Sequence, residues 1–251
     1  MLAKLIHREL VSRFKGSATG WVWLIVNPLL LLAVYSFVFG VIFQARVPPG
    51  LEMPFVAWLA VALWPWLMFS EGVLKGSQGI RDNAALISKV ALPREFLVLA
   101  AVSSVFLLHL IGYAAVYIAL MLIGVELHWT GIPRLLLAIS SLYVLTIGLA
   151  LAFSAIQVYV RDVEQALPTI FMFWFFLTPI LYAPSLLPSQ YAQWLDWNPL
   201  TWWMTEIRSG MLHGEAAMGW PMVAMFAGSL TLAWLGHRIF KRLSPYFEDF
   251  L

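Results

Sequence analysis

The chain has 251 residues, of which 62% are hydrophobic and 11% charged, with a net charge of +2 and no cysteine. A soluble domain carries roughly 45–50% apolar and about 25% charged residues, so a core of this length could not cover so much apolar surface, and lipid must be the solvent. The small net charge and the lack of a basic run with interleaved aromatics argue against nucleic acid; without cysteine there is neither a disulfide framework nor a thiolate metal site.

Residues 1–18 come first. Leu2, Ile6, Leu10 and Phe14 recur at helical spacing, with Lys4, Arg8 and Lys15 on another face. This predicts an amphipathic helix in the membrane interface; a charged tail that only sets topology is the plainer alternative. The first apolar run, 21–44, exceeds the roughly 7–15-residue core of a signal peptide, so the mature chain is expected to begin at Met1. A crossing needs about 20 apolar residues, and further spans are expected at 54–72, 97–123, 132–159, 168–183 and 219–237. The expected fold is an all-α membrane protein, one domain over 1–251 with six transmembrane helices. Pro65 interrupts the second span, so a neighbour must satisfy the carbonyl it frees. The fifth span is short, with Pro168 suited to its first turn and Pro179 inside it.

Two connections carry more than loop chemistry. In 73–96, Ile80, Leu86, Ile87 and Val90 are spaced for a short amphipathic helix broken before Pro93. Segment 184–216 holds Tyr191, Trp194, Trp197, Trp202 and Trp203 and breaks at Asn198-Pro199. It is too apolar for a solvated loop and too interrupted for a span, which predicts two short helices dipping back into the outer leaflet.

Orientation follows from the basic residues. With the N-terminus inside, the inner segments hold Lys4, Arg8, Arg13, Lys15, Lys75, Arg81, Lys89, Arg94, Arg161, Arg238, Lys241 and Arg242. The outer side holds only Arg46, Arg134 and Arg208, so both termini are expected in the cytoplasm.

Ionisable groups are nearly absent from the spans: Glu71 lies at an end, Arg134 near a start and His109 near a midplane. Ion-coupled carriers need such groups deep in the bilayer, and a lone His reads as a neutral imidazole bonded to a neighbouring helix. Neither an H-E-x-x-H pair nor a G-x-x-x-x-G-K-[ST] loop is present, so no catalytic residue, metal ligand or nucleotide site is expected. Ser103 and Ser104 lie within two turns of His109, which keeps an intramembrane enzyme as a remote alternative. A pump built this way takes its energy from a partner, and 73–96 is either its docking surface or a mere connector. Aromatic faces complete the pattern. Tyr35, Phe39 and Phe43 share one face of the first span, and Phe171, Trp174, Phe175, Thr178 and Tyr182 one face of the fifth. Such rings suit either a sliding sugar chain or lipid contact and helix packing.

Several stretches together resemble the membrane permeases of ABC-2 type polysaccharide exporters, which move O-antigen, capsule and teichoic-acid chains. They are 8–17 with Gly20-Trp21-Val22-Trp23 and Asn27-Pro28-Leu29, 83–90 with Pro93-Arg94-Glu95, Tyr159 to Val163, Thr178 to Tyr182, and Trp197-Asn198-Pro199-Leu200. The resemblance implies a homodimeric permease in the bacterial inner membrane, in contact with its lipids, with two ABC ATPase subunits on the cytoplasmic face. Those subunits would bind ATP and Mg, and this chain would hold no cofactor. The cargo would be a lipid-linked polysaccharide, with the O-antigen branch first. It further implies a channel lined by Tyr35, Phe39, Phe43, Phe171, Trp174, Phe175 and Tyr182, and a coupling segment with Arg81, Asp82, Asn83, Lys89, Arg94 and Glu95. Arg161 and Asp162 would lie at the inner mouth, and Tyr191, Trp194, Trp197, Trp202 and Trp203 in an outer gate. An ABC-2 exporter of drugs, lipids or ions would share this topology.

Overall fold

The computed structural model describes residues 1–15, 20, 22–45, 47, 53–89, 92–215 and 219–250, apart from the side chains of Ser189, Ala192, Glu248 and Asp249. Gly16, Ser17, Trp21, Arg46 and Val90, which carry parts of the expected motifs and charge pattern, lie outside these residues. Among the described residues all regular structure is helical.

Helix α1 (Leu2–Ser12) rests along the third long helix, with Leu2, Ile6 and Leu10 half-buried and Lys4 exposed. Helix α2 (Trp23–Tyr35) continues as a π-helical stretch, Ser36–Ile42. The widening begins at Ser36, whose hydroxyl takes the Leu32 carbonyl at 2.6 Å and competes with the backbone ladder there. Next come α3 (Phe55–Gln78), a 3-10 turn Arg81–Asn83, α4 (Ala84–Ile87) and α5 (Glu95–Leu122). They are followed by α6 (Ile132–Tyr159), α7 (Val163–Leu177), α8 (Ser189–Trp197), α9 (Pro199–His213) and α10 (Trp220–Leu243). The short helix expected within 73–96 is α4 with its preceding turn, and Ile80 and Ile87 are its buried side. The two short helices expected in 184–216 are α8 and α9.

Among the described residues, five helical segments are long and apolar enough to cross a membrane: Trp23–Ile42, Phe55–Gln78, Glu95–Leu122, Trp129–Tyr159 and Trp220–Phe247. The element expected at 168–183 is instead α7, whose 15 residues reach about 22 Å against a hydrocarbon core of roughly 30 Å. Pro168 consequently lies in its second turn, not its first, and cannot donate to the Glu164 carbonyl. The helix stops at Leu177 because Thr178, which precedes Pro179, is held extended with ψ 136°.

Helix α3 is the centre, 83% buried along its apolar stretch and enclosed by α5, α6, α7 and α9. Pro65 breaks its ladder at the Val61 carbonyl, and the buried Tyr113 hydroxyl of α5 donates to that oxygen at 2.7 Å. This is the neighbour's donor that the proline requires. Helix α10 closes on α6 through small residues: Ser141 and Ser229 hydroxyls meet at 3.2 Å, and a Cβ on Gly236 would lie 1.9 Å from the Gly148 carbonyl oxygen. Such close approach is how helices without a hydrophobic drive between them gain packing energy in lipid.

Gly148→Val tests that crossing. A Cβ there would lie 2.6 Å from the Ala233 Cα, which is backbone and cannot step aside. The variant is expected to lose about 1–3 kcal/mol or more through overpacking, read as a lower thermal midpoint of the detergent-purified protein. An unchanged midpoint would mean that α10 is not held by this contact.

Candidate functional site

Arg8 of α1 donates to Asn83 Oδ1 at 2.5 Å, and Arg94 donates to the Ser244 carbonyl. Helix α1, the turn 81–83, the start of α5 and Ser244 after α10 thus gather at one end of the bundle, the basic end. Helices α8 and α9 occupy the opposite, tryptophan end.

At the tryptophan end a cavity of about 480 Å³ is lined by Trp174 and Leu177 of α7, Tyr182 and Leu187 of the following segment, and Tyr191, Trp194, Trp197 and Asn198 around α8. Two groups of expected residues, assigned separately to channel and gate, therefore meet: Trp174 and Tyr182 with Tyr191, Trp194 and Trp197. Trp197 is 87% exposed, and Tyr191 and Trp194 are exposed as well. A second cavity of about 350 Å³ shares Trp174 and Trp197 and adds Trp202 and Trp203 between α6, α9 and α10. Trp203 is buried, whereas Trp202 is half-buried and meets Trp220 edge-on at 5.5 Å.

Asn198 organises this corner. Its Oδ1 caps α9 by accepting from the Leu200 amide at 3.1 Å, and it also accepts from Trp174 Nε1 at 2.9 Å. Its Nδ2 donates to the Leu177 carbonyl at 3.2 Å and to Thr178 Oγ1 at 3.0 Å. Arg208 of α9, only 4% exposed, lies 3.7 Å over the Trp58 ring. It donates to the carbonyls of Pro179 (2.6 Å), Ile180 (3.0 Å) and Trp58 (3.3 Å). The non-helical stretch after Leu177 is thereby pinned onto α3. Arg134 of α6, equally buried, binds Glu206 of α9 at 2.8 Å and Glu215 at 2.9 Å.

The remaining aromatic residues fall into separate places. Phe171, Trp174 and Phe175 pack against Trp66 of α3 at centroid distances of 5.7–6.2 Å, with Phe69 beside Phe171 and Trp174. Phe171 is buried in this cluster, while Trp174 and Phe175 are half-buried. Tyr35 and Phe39 stack nearly parallel at 5.8 Å, and Phe43 continues the row at 5.7 Å and is exposed. None of these three lines the larger cavity.

At the basic end the expected coupling residues are held by the chain's own side chains. Arg81 pairs with Glu164 of α7, and Asp82 with Lys75 of α3 at 2.6 Å. Asn83 receives Arg8 and donates to the Gly79 carbonyl at 2.9 Å. Glu95 pairs with Lys241 at 2.7 Å, and Arg94 stands over Phe247. Lys89 is exposed, as are Arg161 and Asp162 in the turn before α7. His109 Nε2 meets Glu71 of α3 at 3.1 Å, so the neighbouring helix supplies its partner. Ser103 bonds the Leu99 carbonyl and Tyr143, and Ser104 the Ala101 carbonyl, so neither forms a dyad with His109.

A model of the ABC-2 type transporter family matches residues 2–212. The chain belongs to that family. It is 28% identical to an O-antigen export system permease protein RfbA of Klebsiella pneumoniae, covering the whole of this chain and 95% of that protein. To the RfbA of Myxococcus xanthus it is 30% identical, over 99% of this chain and 94% of the relative. The polysialic acid transport protein KpsM of Escherichia coli is 26% identical over 94% of this chain and 91% of its own length.

Within this ABC-2 chain, sequence reasoning overlooked Glu164 and Phe69 and gave Trp66 no role, counted Arg208 only as an outer charge, and took Asn198 as a break within the family-like 197–200 stretch and not as a cap. Asn before Pro is an N-cap followed by the favoured first helical residue, a signal that was available. A lone Arg in an apolar stretch likewise points to a buried, partnered role. No local pattern marks Glu164, because its partner lies 83 residues away.

Arg208→Ala would leave those carbonyls without their charged donor, and hydrogen bonds to charged groups are worth about 1.5–3 kcal/mol each. A loss of about 3 kcal/mol or more is expected in the unfolding free energy in detergent. Arg208→Lys should recover only part of it, because an ammonium lacks the planar fork. A native-like Arg208→Ala would show that the pin is dispensable.

Proposed function

We propose that the chain is the membrane permease subunit of an ATP-driven ABC exporter that carries a lipid-linked polysaccharide across the bacterial inner membrane. The observation that carries this reading is the aromatic cavity at the tryptophan end, found in a chain aligned over nearly its whole length with O-antigen export permeases. Rings offer apolar sugar faces broad, weak contact without a fixed charge. A moving polymer needs contacts of this kind, many and similar, so that no site traps it.

The working unit is a homodimer with two ABC ATPase subunits, which hold ATP and Mg on the cytoplasmic side. The first span supports a second copy: its window is only 6% buried within one protomer. Six crossings result if α7 is the short fifth one, and an even number agrees with α1 and the end of α10 both lying at the basic end. The excess of Lys and Arg there favours the cytoplasm for that end. The turn 81–83 and α4 dock the ATPase, and Arg161 and Asp162 sit near the inner mouth. Tyr35, Phe39 and Phe43 join the α7 rings along the path once two copies assemble. The O-antigen branch is preferred, with capsule kept beside it by the polysialic acid relative. A drug or lipid exporter could also use an aromatic cavity, and the alignment with O-antigen and polysialic acid permeases is what favours a glycan.

Tyr191→Ala and Trp194→Ala test the path, because both rings are exposed and line the cavity. Each is expected to lower the amount of polysaccharide reaching the cell surface several-fold, on the scale of about 1–3 kcal/mol lost per stacking ring. Membrane levels of the permease should stay unchanged. Phe173→Ala, exposed on α7 and lining neither cavity, should export normally. Full export by the Tyr191/Trp194 double variant would remove the cavity from the path.

A further inference from the structure

We infer that α7 is the link by which the 81–87 segment controls the tryptophan end, with Glu164 and Asn198 as its two positioning residues. The inference rests on reading 81–87 as the ATPase docking segment.

Three attachments leave the 81–83 turn. Asp82 holds Lys75 of α3, Asn83 holds Arg8 of α1, and Arg81 holds Glu164 of α7. Helix α3 is enclosed on every side and is the least able to move. Helix α1 buries no residue fully and reaches no further than the basic end. Helix α7 alone among the three both runs to the tryptophan end and keeps one whole face uncovered, with Ile170, Phe173, Phe176 and Leu177 exposed. The turn that carries Glu164 is one hydrogen bond looser than the rest of α7, because Pro168 has no donor for the Glu164 carbonyl. Its orientation is therefore set from outside the helix, by Arg81.

At the other end, three bonds tie α7 to Asn198: one from Trp174 Nε1, and two from Asn198 Nδ2 to the Leu177 carbonyl and to Thr178. The same Asn198 is the joint between α8 and α9. Helix α9 cannot follow a displacement, since Arg208 and the Arg134–Glu206 pair lock it into the core. Among the described side chains of α8 no comparable anchor is found: Tyr191, Trp194 and Trp197 are exposed and Leu195 is buried. A shift of α7 must carry or break the Asn198 bonds, and α8, which forms one wall of the cavity, is the element that yields.

Arg81 and Glu164 are exposed, with side chains 33% and 43% accessible. Such a pair adds little to stability, which separates a coupling role from a folding one. The test uses the permease with its ATPase in lipid nanodiscs, where both faces are open to reagents, and a single cysteine at Gln193 of α8, clean because the chain has no other cysteine. The labelling rate by a membrane-impermeant maleimide is read with and without ATP. Glu164→Arg and Arg81→Glu are each expected to cut the ATP-dependent change roughly two- to fivefold, the bias an exposed ion pair can supply. The double swap should restore it, and Asn198→Ala should abolish it. Single variants that keep the native ATP response, or a double swap that rescues nothing, would overturn the link. ATPase co-purification is measured alongside. Glu164 lies outside the docking segment, so a lost response with the ATPase still bound to Glu164→Arg supports the link. If the Arg81→Glu, Asp82→Lys, Lys89→Glu triple variant keeps both ATPase binding and export, the docking reading fails and the link with it.

Discussion

A backbone carbonyl released by a broken helix finds no donor in lipid, so the protein must bring one. In this chain that demand arises at Pro65 and around Pro179, and three side chains meet it. Tyr113 takes the Val61 oxygen that Pro65 frees. Arg208 takes the carbonyls of Pro179 and Ile180, where α7 has given way to extended chain. Asn198 donates to the Leu177 carbonyl, two residues before Pro179. Remove these donors and the tryptophan end cannot keep a non-helical turn inside a membrane bundle. The cavity exists because that turn does.

This arrangement divides the molecule into fixed and yielding parts. Helix α3, the α6–α10 pair joined through Gly148 and Gly236, and α9 with its buried arginine form one continuous packed body. Helices α2, α7 and α8 lie around it with broad exposed faces. The aromatic residues are sorted along the same line. Trp66, Phe69 and Phe171 are buried in packing, while Tyr191, Trp194 and Trp197 face the cavity and its mouth. Trp174 belongs to both, with one edge in the cluster and its indole nitrogen on Asn198. In α7, packing and cavity lining are therefore divided ring by ring and not helix by helix.

Much of this architecture was legible because hydropathy and amphipathic spacing are local. Among the described residues, five long helices, the amphipathic α1, the short α4 and the paired α8 and α9 all follow from residue order. The fifth span was misplaced because a hydropathy window registers Ile180, Leu181 and Tyr182 as apolar but not that Pro179 has already ended the helix. The charge pattern treated Arg134 and Arg208 as outer charges like any other, yet both are buried and bonded internally. Composition cannot tell a solvated arginine from one lying among carbonyls. The residues expected to couple lie in one local segment, but their partners do not: Glu164, Lys241 and Arg8 are distant in sequence, and only the fold brings them to Arg81, Glu95 and Asn83.

The central claim is that this permease carries a finished glycan chain out of the cytoplasm. It is tested most directly by deleting its gene in the native host and locating the polysaccharide by lectin or antibody binding, before and after spheroplast lysis. The account predicts full-length, lipid-linked chains that become reachable only after lysis, with surface display restored by the native gene. Normal surface polysaccharide in the deletion strain, in the absence of a second exporter, would contradict it.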